Sequence, residues 1–339
     1  MRHAKLFTIL VFVLLLAYGA IGFYFLPLAT FQGELTRMGL VPEKTFGWRK
    51  AQPAIDVRWF TQSSMQEADV LVIGDSFSDP RVWQTELVKR GLKVRTEPWD
   101  SIRNICVDFM PWLKAQGFRG RYLVLEIIER NIADGLGKSV ACQTMQTHSS
   151  VNVDTPRNPP PDSFDADLQD WSGRFSVGIQ TALNYRKYER LSSTAGYKIA
   201  NLPNGVKVAR VPNGCQLFSH TGCEDSLFLG EDRPEDLDQV NLDHIKTLEA
   251  RLYGISVIWA FVPNKSTTYL YPDKHFWNEA EQRFGAPNLL RMTQQAIKEK
   301  IVDLYPANNT HFSPTGYLMV GQEIYKAMQQ EQHQDADLR

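Results

Sequence analysis

The chain has 339 residues, 43% of them hydrophobic, with a formal net charge of −1. That length is enough for a substantial core, as one large domain or two small ones. Near-neutral charge without a concentrated Lys/Arg tract argues against nucleic acid as a partner.

Arg2, His3 and Lys5 precede an uncharged apolar stretch from Leu6 to Ala29. A bilayer core requires ~20 apolar residues in helical form, so residues 1–30 are long enough to span it. The positive flank favours an inside N-terminus, with the rest of the chain outside the cytoplasmic membrane. The alternative is a cleaved signal peptide. The apolar run is longer than a signal core, and Leu26-Pro27-Leu28-Ala29-Thr30 is a poor cleavage site, which favours a retained anchor. Either way the bulk of the chain occupies the same oxidising compartment.

Residues 31–66 show little periodicity and read as a membrane-proximal connector. A domain is expected over 67–332. "ADVLVIG" is a buried strand stopped by Gly74. "PRVWQTELVKRG" is a helix between Pro80 and Gly91, and "LKVRTEP" a second strand. "IRNICVDFMPWLKAQG" is a helix that Pro111 should kink or shorten. "RYLVLEII" is a third strand. An insertion follows at about 138–232, with a Pro-rich stretch (Pro156 to Asp165), a helix around "VGIQTALNYRKYERL" and a hairpin-like "GVKVARVPNGCQLF". It reads as an elaboration of the same domain rather than a separate fold. The alternation then resumes with the helix "EDLDQVNLDHIKTLEARLYG", the strand "ISVIWAFVP", helical segments between Phe276 and Lys300, and "IVDLYP" as a short fifth strand. "SPTGYLMVGQEIYKAMQQ" is a closing helix with Tyr317, Val320, Ile324 and Met328 on one stripe. Residues 333–339 read as a frayed tail. Strands alternating with helices imply a parallel sheet covered on both faces.

The four cysteines are Cys106, Cys142, Cys215 and Cys223. The compartment permits disulfides, and three pairings are formally open. Cys215 with Cys223, flanking "SHTG", is the first choice, which leaves Cys106 with Cys142. No Cys-x-x-Cys spacing supports a zinc site, and neither a metal nor a cofactor is expected.

Ligands of open α/β sheets bind beyond the carboxyl ends of the strands. Ser76, after the first strand, occupies that edge. It reads either as part of a helix-capping turn or as a nucleophile, and a serine nucleophile requires an adjacent base. Of the seven histidines, only His311, in "NNTHFSPTGY", lies at the edge of an expected strand. Asp75 reads as a turn residue, because neighbouring side chains at a strand end point apart. Arg130 and Glu129 are a candidate ion pair. Lys265 reads as a solvated loop lysine or an anion-binding group. The aromatics Trp83, Trp99, Trp259 and Phe312 suit either a glycan platform or the core.

"VLVIGDSFSD" and "NNTHFSPTGY" resemble the first and last blocks of the SGNH hydrolase superfamily. "YLVLEIIERN" and "FVPNKSTTY" resemble segments of its alginate O-acetyltransferase-like group. The resemblance covers roughly residues 67–330, with the insertion poorly matched. It implies a three-layer, flavodoxin-like parallel sheet with Ser76 as nucleophile and His311 as base. The Ser76 backbone N–H would donate to an oxyanion. The second block's usual glycine is missing from "WDSIRN", where Asn104 could substitute. Asn131 is the nearest match to the third block's Asn. The superfamily's acid, three residues before the histidine, and that of the alginate group, two residues before, correspond to Asn308 and Asn309. Neither can supply a charge to the imidazolium.

The function so implied is O-acetyl transfer to an envelope or exported polysaccharide by a protein anchored in the inner membrane. A membrane-bound acyltransferase would supply the acyl group. O-deacetylation, and non-catalytic glycan binding or assembly, are the alternatives.

Overall fold

A computed structural model describes residues 2–146, 159, 171, 173–194, 196, 198–232 and 236–337. Apart from Pro159, the Pro-rich stretch expected over 156–165 lies outside the described residues.

The chain opens with helix α1 (Arg2–Phe25), the start of a segment long and apolar enough to cross a membrane. The expected connector carries two short helices, α2 (Glu34–Gly39) and α3 (Glu43–Phe46). Then follow β1 (Val70–Gly74), α4 (Thr85–Val88), β2 (Val94–Pro98), α5 (Trp99–Ile102), α6 (Phe109–Ala115), β3 (Tyr122–Ile128) and α7 (Glu129–Ala141). Next come α8 (Phe175–Ser192), β4 (Ile199–Asn201), β5 (Val206–Arg210), α9 (Gly214–Leu217) and β6 (Asp225–Leu229). The chain closes with α10 (Gln239–Glu249), β7 (Ser256–Val262), α11 (Lys265–Leu270), α12 (Phe276–Phe284), α13 (Leu289–Lys298) and α14 (Pro314–Asp337).

These elements form two compact units. One comprises Met1–Lys50, Ser163–Gly230 and Pro306–Thr310. Its sheet is antiparallel, in the order β4-β5-β6. Leu35, Val41, Phe46, Tyr188, Val206, Val208 and Leu227 make its core. The insertion therefore joins the N-terminal segment in a unit of its own, rather than elaborating the α/β domain. The physical reason is that β5 and β6 need an apolar cover, and α2, α3 and α8 supply it.

The other unit comprises Ala51–Asp162, Glu231–Tyr305 and His311–Arg339. Its sheet is parallel, in the order β2-β1-β3-β7. Every residue of β1 and β3 is buried, Glu126 included, as their largely apolar runs require of a sheet covered on both faces. The expected fifth strand does not form. Lys300 and Asp303 adopt left-handed backbone (φ 60° and 57°), which interrupts an extended run. Residues 301–306 instead make a turn pinned where the Ser313 N–H donates to the Leu304 carbonyl (2.9 Å).

The helix expected after Pro80 shortens to α4, because Arg81 turns left-handed (φ 59°). Pro111 sits in the first turn of α6, where a missing N–H breaks no helical bond. The helix expected over 102–117 shrinks to α6, and residues 103–108 form a loop between α5 and α6. Asp238 and Asn241 form a capping box at the start of α10. The stripe expected on α14 is buried at Tyr317, Val320, Ile324 and Met328. The helix continues through Asp337, past the point where a frayed tail was expected.

Both expected cysteine pairs are at disulfide distance. Cys106 and Cys142 have Cα atoms 4.5 Å apart, and Cys215 and Cys223 4.6 Å apart.

Candidate active site

At the carboxyl end of β1 the chain turns sharply at Gly74. A side chain there would reach within 2.7 Å of Glu126 Oε2 and closer still to Ser78. Glycine is required by this close approach. Asp75 then organises the turn. Its carboxylate accepts from the Phe77 N–H (2.9 Å) and the Ile128 N–H (2.8 Å), and its own N–H donates to Glu126 Oε2 (3.0 Å). The expectation of a structural Asp75 is met. Glu126 is fully buried and also accepts from Ser78 Oγ (2.7 Å). Burial, with the Asp75 charge second, pushes the Glu126 carboxyl well above its ordinary range.

This turn presents Ser76, exposed, with its Oγ 2.9 Å from His311 Nε2. That is hydrogen-bond reach for a serine and its base. The His311 ring rests on Phe77, with centroids 4.7 Å apart. Phe77 is in turn held by Phe312, Tyr317 and Tyr305. Among the described residues, no backbone acceptor engages the Ser76 N–H. The first helix after the turn starts only at Thr85, so this donor belongs to a tight turn and not to a helix end.

Ser76 lines a cleft of about 710 Å³ with Trp99, Arg103, Asn104, Asn131, Asp134 and Trp259 among its walls. Asn104 and Asn131 thus share the cleft with Ser76, from the loop after α5 and the first turn of α7. Arg103 holds φ 64° and ψ −62°, and the Asn104 N–H donates to the Ile102 carbonyl (2.9 Å). This is a γ-turn of the rare, strained hand, placed in the "WDSIRN" loop without a glycine. Strain of this kind concentrates at functional sites. The two walls are fastened to each other by the Cys106–Cys142 bond. The Ile105 N–H donates to Ser139 Oγ (3.1 Å), and the Arg251 guanidinium donates to the carbonyls of Ile105, Ser139 and Val140 (3.2, 2.8 and 2.7 Å).

Of the other expected aromatics, Trp83 and Phe312 are buried, and Trp99 is half-buried with its Nε1 donating to the Glu126 carbonyl (2.7 Å).

The expected Arg130–Glu129 pair is replaced. Arg130 Nη1 binds Asp232 Oδ1 at 2.8 Å, while Glu129 Oε2 accepts from the Asn264 N–H (2.8 Å). Lys265 is not a solvated loop lysine. It is fully buried and does not line the cleft. Burial drives its ammonium pKa well down, against the pull of Asp232 and Asp303. The reason is local: Lys265 opens α11, a short helix with five consecutive buried residues.

Asp232 is the residue that sequence reading missed. Its side chain is 1% exposed, and its Oδ2 has no hydrogen-bond partner among the described residues. Burial raises its pKa, and the charges of Arg130, Lys265 and His311 oppose that rise. Asp232 and His311 are therefore electrostatic neighbours. Asp232 sits at the far end of the insertion, next to a break in the helix–strand pattern, and no motif spacing marks it.

Asn308 has a different partner. Its side-chain amide donates to Glu43 Oε1 (2.5 Å), and its backbone carbonyl accepts from the Leu35 N–H (2.9 Å). Asn309 is half-buried, with its N–H on the Pro306 carbonyl (3.2 Å). No group of three or more His, Cys, Asp or Glu side chains able to hold a metal occurs among the described residues.

Comparison with family models, curated proteins and solved structures finds no match.

Proposed function

We propose that this chain is an SGNH-like serine O-acyltransferase, anchored in the inner membrane by α1 and facing the periplasm, that moves an acetyl group to a hydroxyl of an envelope or exported polysaccharide. The observation that carries this reading is the 2.9 Å approach of Ser76 Oγ to His311 Nε2 at the mouth of a cleft beyond a parallel sheet. The apolar N-terminal segment and the two disulfides support the compartment.

In the first half-reaction Ser76 Oγ attacks the acyl carbonyl as its proton passes to His311 Nε2. The Ser76 N–H, with Asn104 or Asn131, donates to the oxyanion. Collapse breaks the bond to the donor's leaving oxygen, which takes the proton from the imidazolium. In the second half a sugar hydroxyl gives its proton to His311 and attacks the acyl-serine, and Ser76 recovers its proton as the ester leaves. A membrane-bound acyltransferase is the donor's source in this reading, and Trp99 offers the sugar a ring face. Asp232 supplies the negative charge that Asn308 and Asn309 lack, and stabilises the imidazolium in both halves.

An aryl acetate tests this directly. The full chain in detergent should gain one acetyl mass on Ser76, with release of one phenolate. Ser76→Ala should gain none. Equal labelling of the two proteins removes Ser76 as nucleophile, and no labelling of either leaves the fold to glycan binding. Adding an oligosaccharide acceptor then separates transfer from hydrolysis.

A further inference from the structure

Trp171 and residues 173–178 pack against the far end of α1 within one compact unit. The Trp171 ring meets Phe23 (centroids 4.7 Å), and Phe175 meets Phe25 (5.7 Å) and Tyr18 (6.4 Å). Gly178 lies against the Phe25 carbonyl so closely that no side chain fits, and a side chain at Gly173 would meet Ala29 Cβ at 2.5 Å. The end of α1 is itself aromatic, with Tyr18, Phe23, Tyr24 and Phe25. Trp171 and Phe175 extend that end sideways, and Trp171 remains 41% exposed. Aromatic side chains of this kind collect where hydrocarbon meets headgroups.

The rest of α8 is two-faced. Gly178, Thr181 and Tyr188 face inward. The opposite arc, by helical spacing, carries Ile179, Leu183, Arg186, Lys187 and Arg190. Leu183 is 58% exposed. The one acidic residue of α8, Glu189, lies off that arc. Basic residues on the free side of a helix close to a membrane span suit an anionic headgroup surface, and this helix begins beside the end of a span.

We propose that Trp171 and α8 form a second membrane contact. Trp171 and Phe175 seat at the interface level of the α1 aromatics, and the free arc of α8 lies over anionic phospholipid headgroups. This rests on α1 being a retained span, and it does not depend on the chemistry of Ser76.

The test uses the full chain in phosphatidylcholine bilayers, with and without phosphatidylglycerol. Leu14→Cys, Ser176→Cys, Leu183→Cys and Tyr253→Cys variants each carry a nitroxide, and collisions with oxygen and with a water-soluble nickel chelate are compared. All four positions are exposed in the protein. The oxygen-to-nickel ratio should be several-fold higher at Leu14, Ser176 and Leu183 than at Tyr253. Phosphatidylglycerol should raise it further at Leu183, and the combined Arg186→Gln, Lys187→Gln and Arg190→Gln changes should cancel that gain. If Ser176 and Leu183 match Tyr253 while Leu14 stays in lipid, the second contact is overturned and the span survives. If Leu183 alone matches Tyr253, or phosphatidylglycerol has no effect, the headgroup-facing arc is overturned. A water-accessible Leu14 overturns the span and this contact together. Aryl acetate labelling of Ser76 in the same samples reports the active site separately.

Discussion

Asp232 is buried against Arg130, and the charges of Lys265 and His311 also act on it. Exchanging it for Asn keeps the shape and removes the charge. In a well-studied hydrolase, replacing the triad Asp with Asn costs ~10⁴ in turnover. Asp232→Asn should therefore slow Ser76 acylation by roughly 10²-fold or more. A purely structural Asp232 would lower the amount of folded protein and leave the acylation rate of the folded fraction unchanged. Asn308 belongs to a different argument. Superfamily spacing suggests that Asn308→Asp should restore a missing acid. In the structure it would instead set a buried carboxylate against Glu43, itself already accepting from the Gly33 N–H (3.1 Å) and Thr36 Oγ1 (2.5 Å). Two carboxylates at that separation cannot both ionise cheaply. Asn308→Asp should lower the melting temperature without speeding acylation, and the loss should deepen as pH rises, because the folded pair holds a proton that the unfolded chain releases. Melting curves at acidic and neutral pH check the sign.

At the scale of elements, the two disulfides do different work. Cys215–Cys223 closes a separation of 8 residues around α9, whereas Cys106–Cys142 closes 36 and fastens the loop after α5 to the end of α7. Closing the longer loop constrains the unfolded chain more, about 4 kcal/mol against about 2.5. The longer bond also joins the two walls of the cleft that hold Asn104 and Asn131. The paired Cys106→Ser and Cys142→Ser variant should thus melt lower than the Cys215→Ser and Cys223→Ser variant. It alone should weaken acylation at a temperature where both remain folded. Calorimetry and aryl acetate kinetics on the two double variants separate the effects. Equal kinetics would show that the hydrogen bonds of Arg251 and Ser139 hold the walls unaided.

Across the whole molecule, stability should depend on pH through its buried carboxyls. Burial holds Glu129 up at about 7 and Glu249 at about 6, above the ordinary glutamate value of 4.5. Glu126 is also raised, by burial first and by the Asp75 charge second. Between the unfolded and folded values the folded chain keeps a proton that the unfolded chain has lost, so raising the pH through that window withdraws stability. For Glu129 the window runs from 4.5 to about 7 and is worth about 3 kcal/mol at most. Glu129→Gln keeps an acceptor for the Asn264 N–H and should flatten the fall in melting temperature across that window.

Read by itself, the chain determines what depends on neighbours in sequence. The apolar run from Leu6 to Ala29, the buried strands at "VLVIG" and "YLVLEII", the stripe on α14 and the short Cys215–Cys223 spacing are all written locally, because burial on both faces, helical period and loop closure leave their marks within a few residues. The place of Ser76 was legible for a related reason: it follows a strand of a parallel sheet, and the loops after such strands emerge on one side of it. His311 comes to the same edge although the strand expected before it does not form. Tertiary structure decides what distant segments do to one another. "IVDLYP" has the composition of a strand and becomes a turn because Lys300 and Asp303 are held left-handed. Lys265 has the composition of a surface loop and is buried by the packing of α11. Asn308 stands where a catalytic acid is expected and binds Glu43, 265 positions away. Asp232 reaches the neighbourhood of His311 from the end of an insertion. An electrostatic partner is selected by proximity through a low-dielectric interior, and that proximity has no counterpart in sequence spacing.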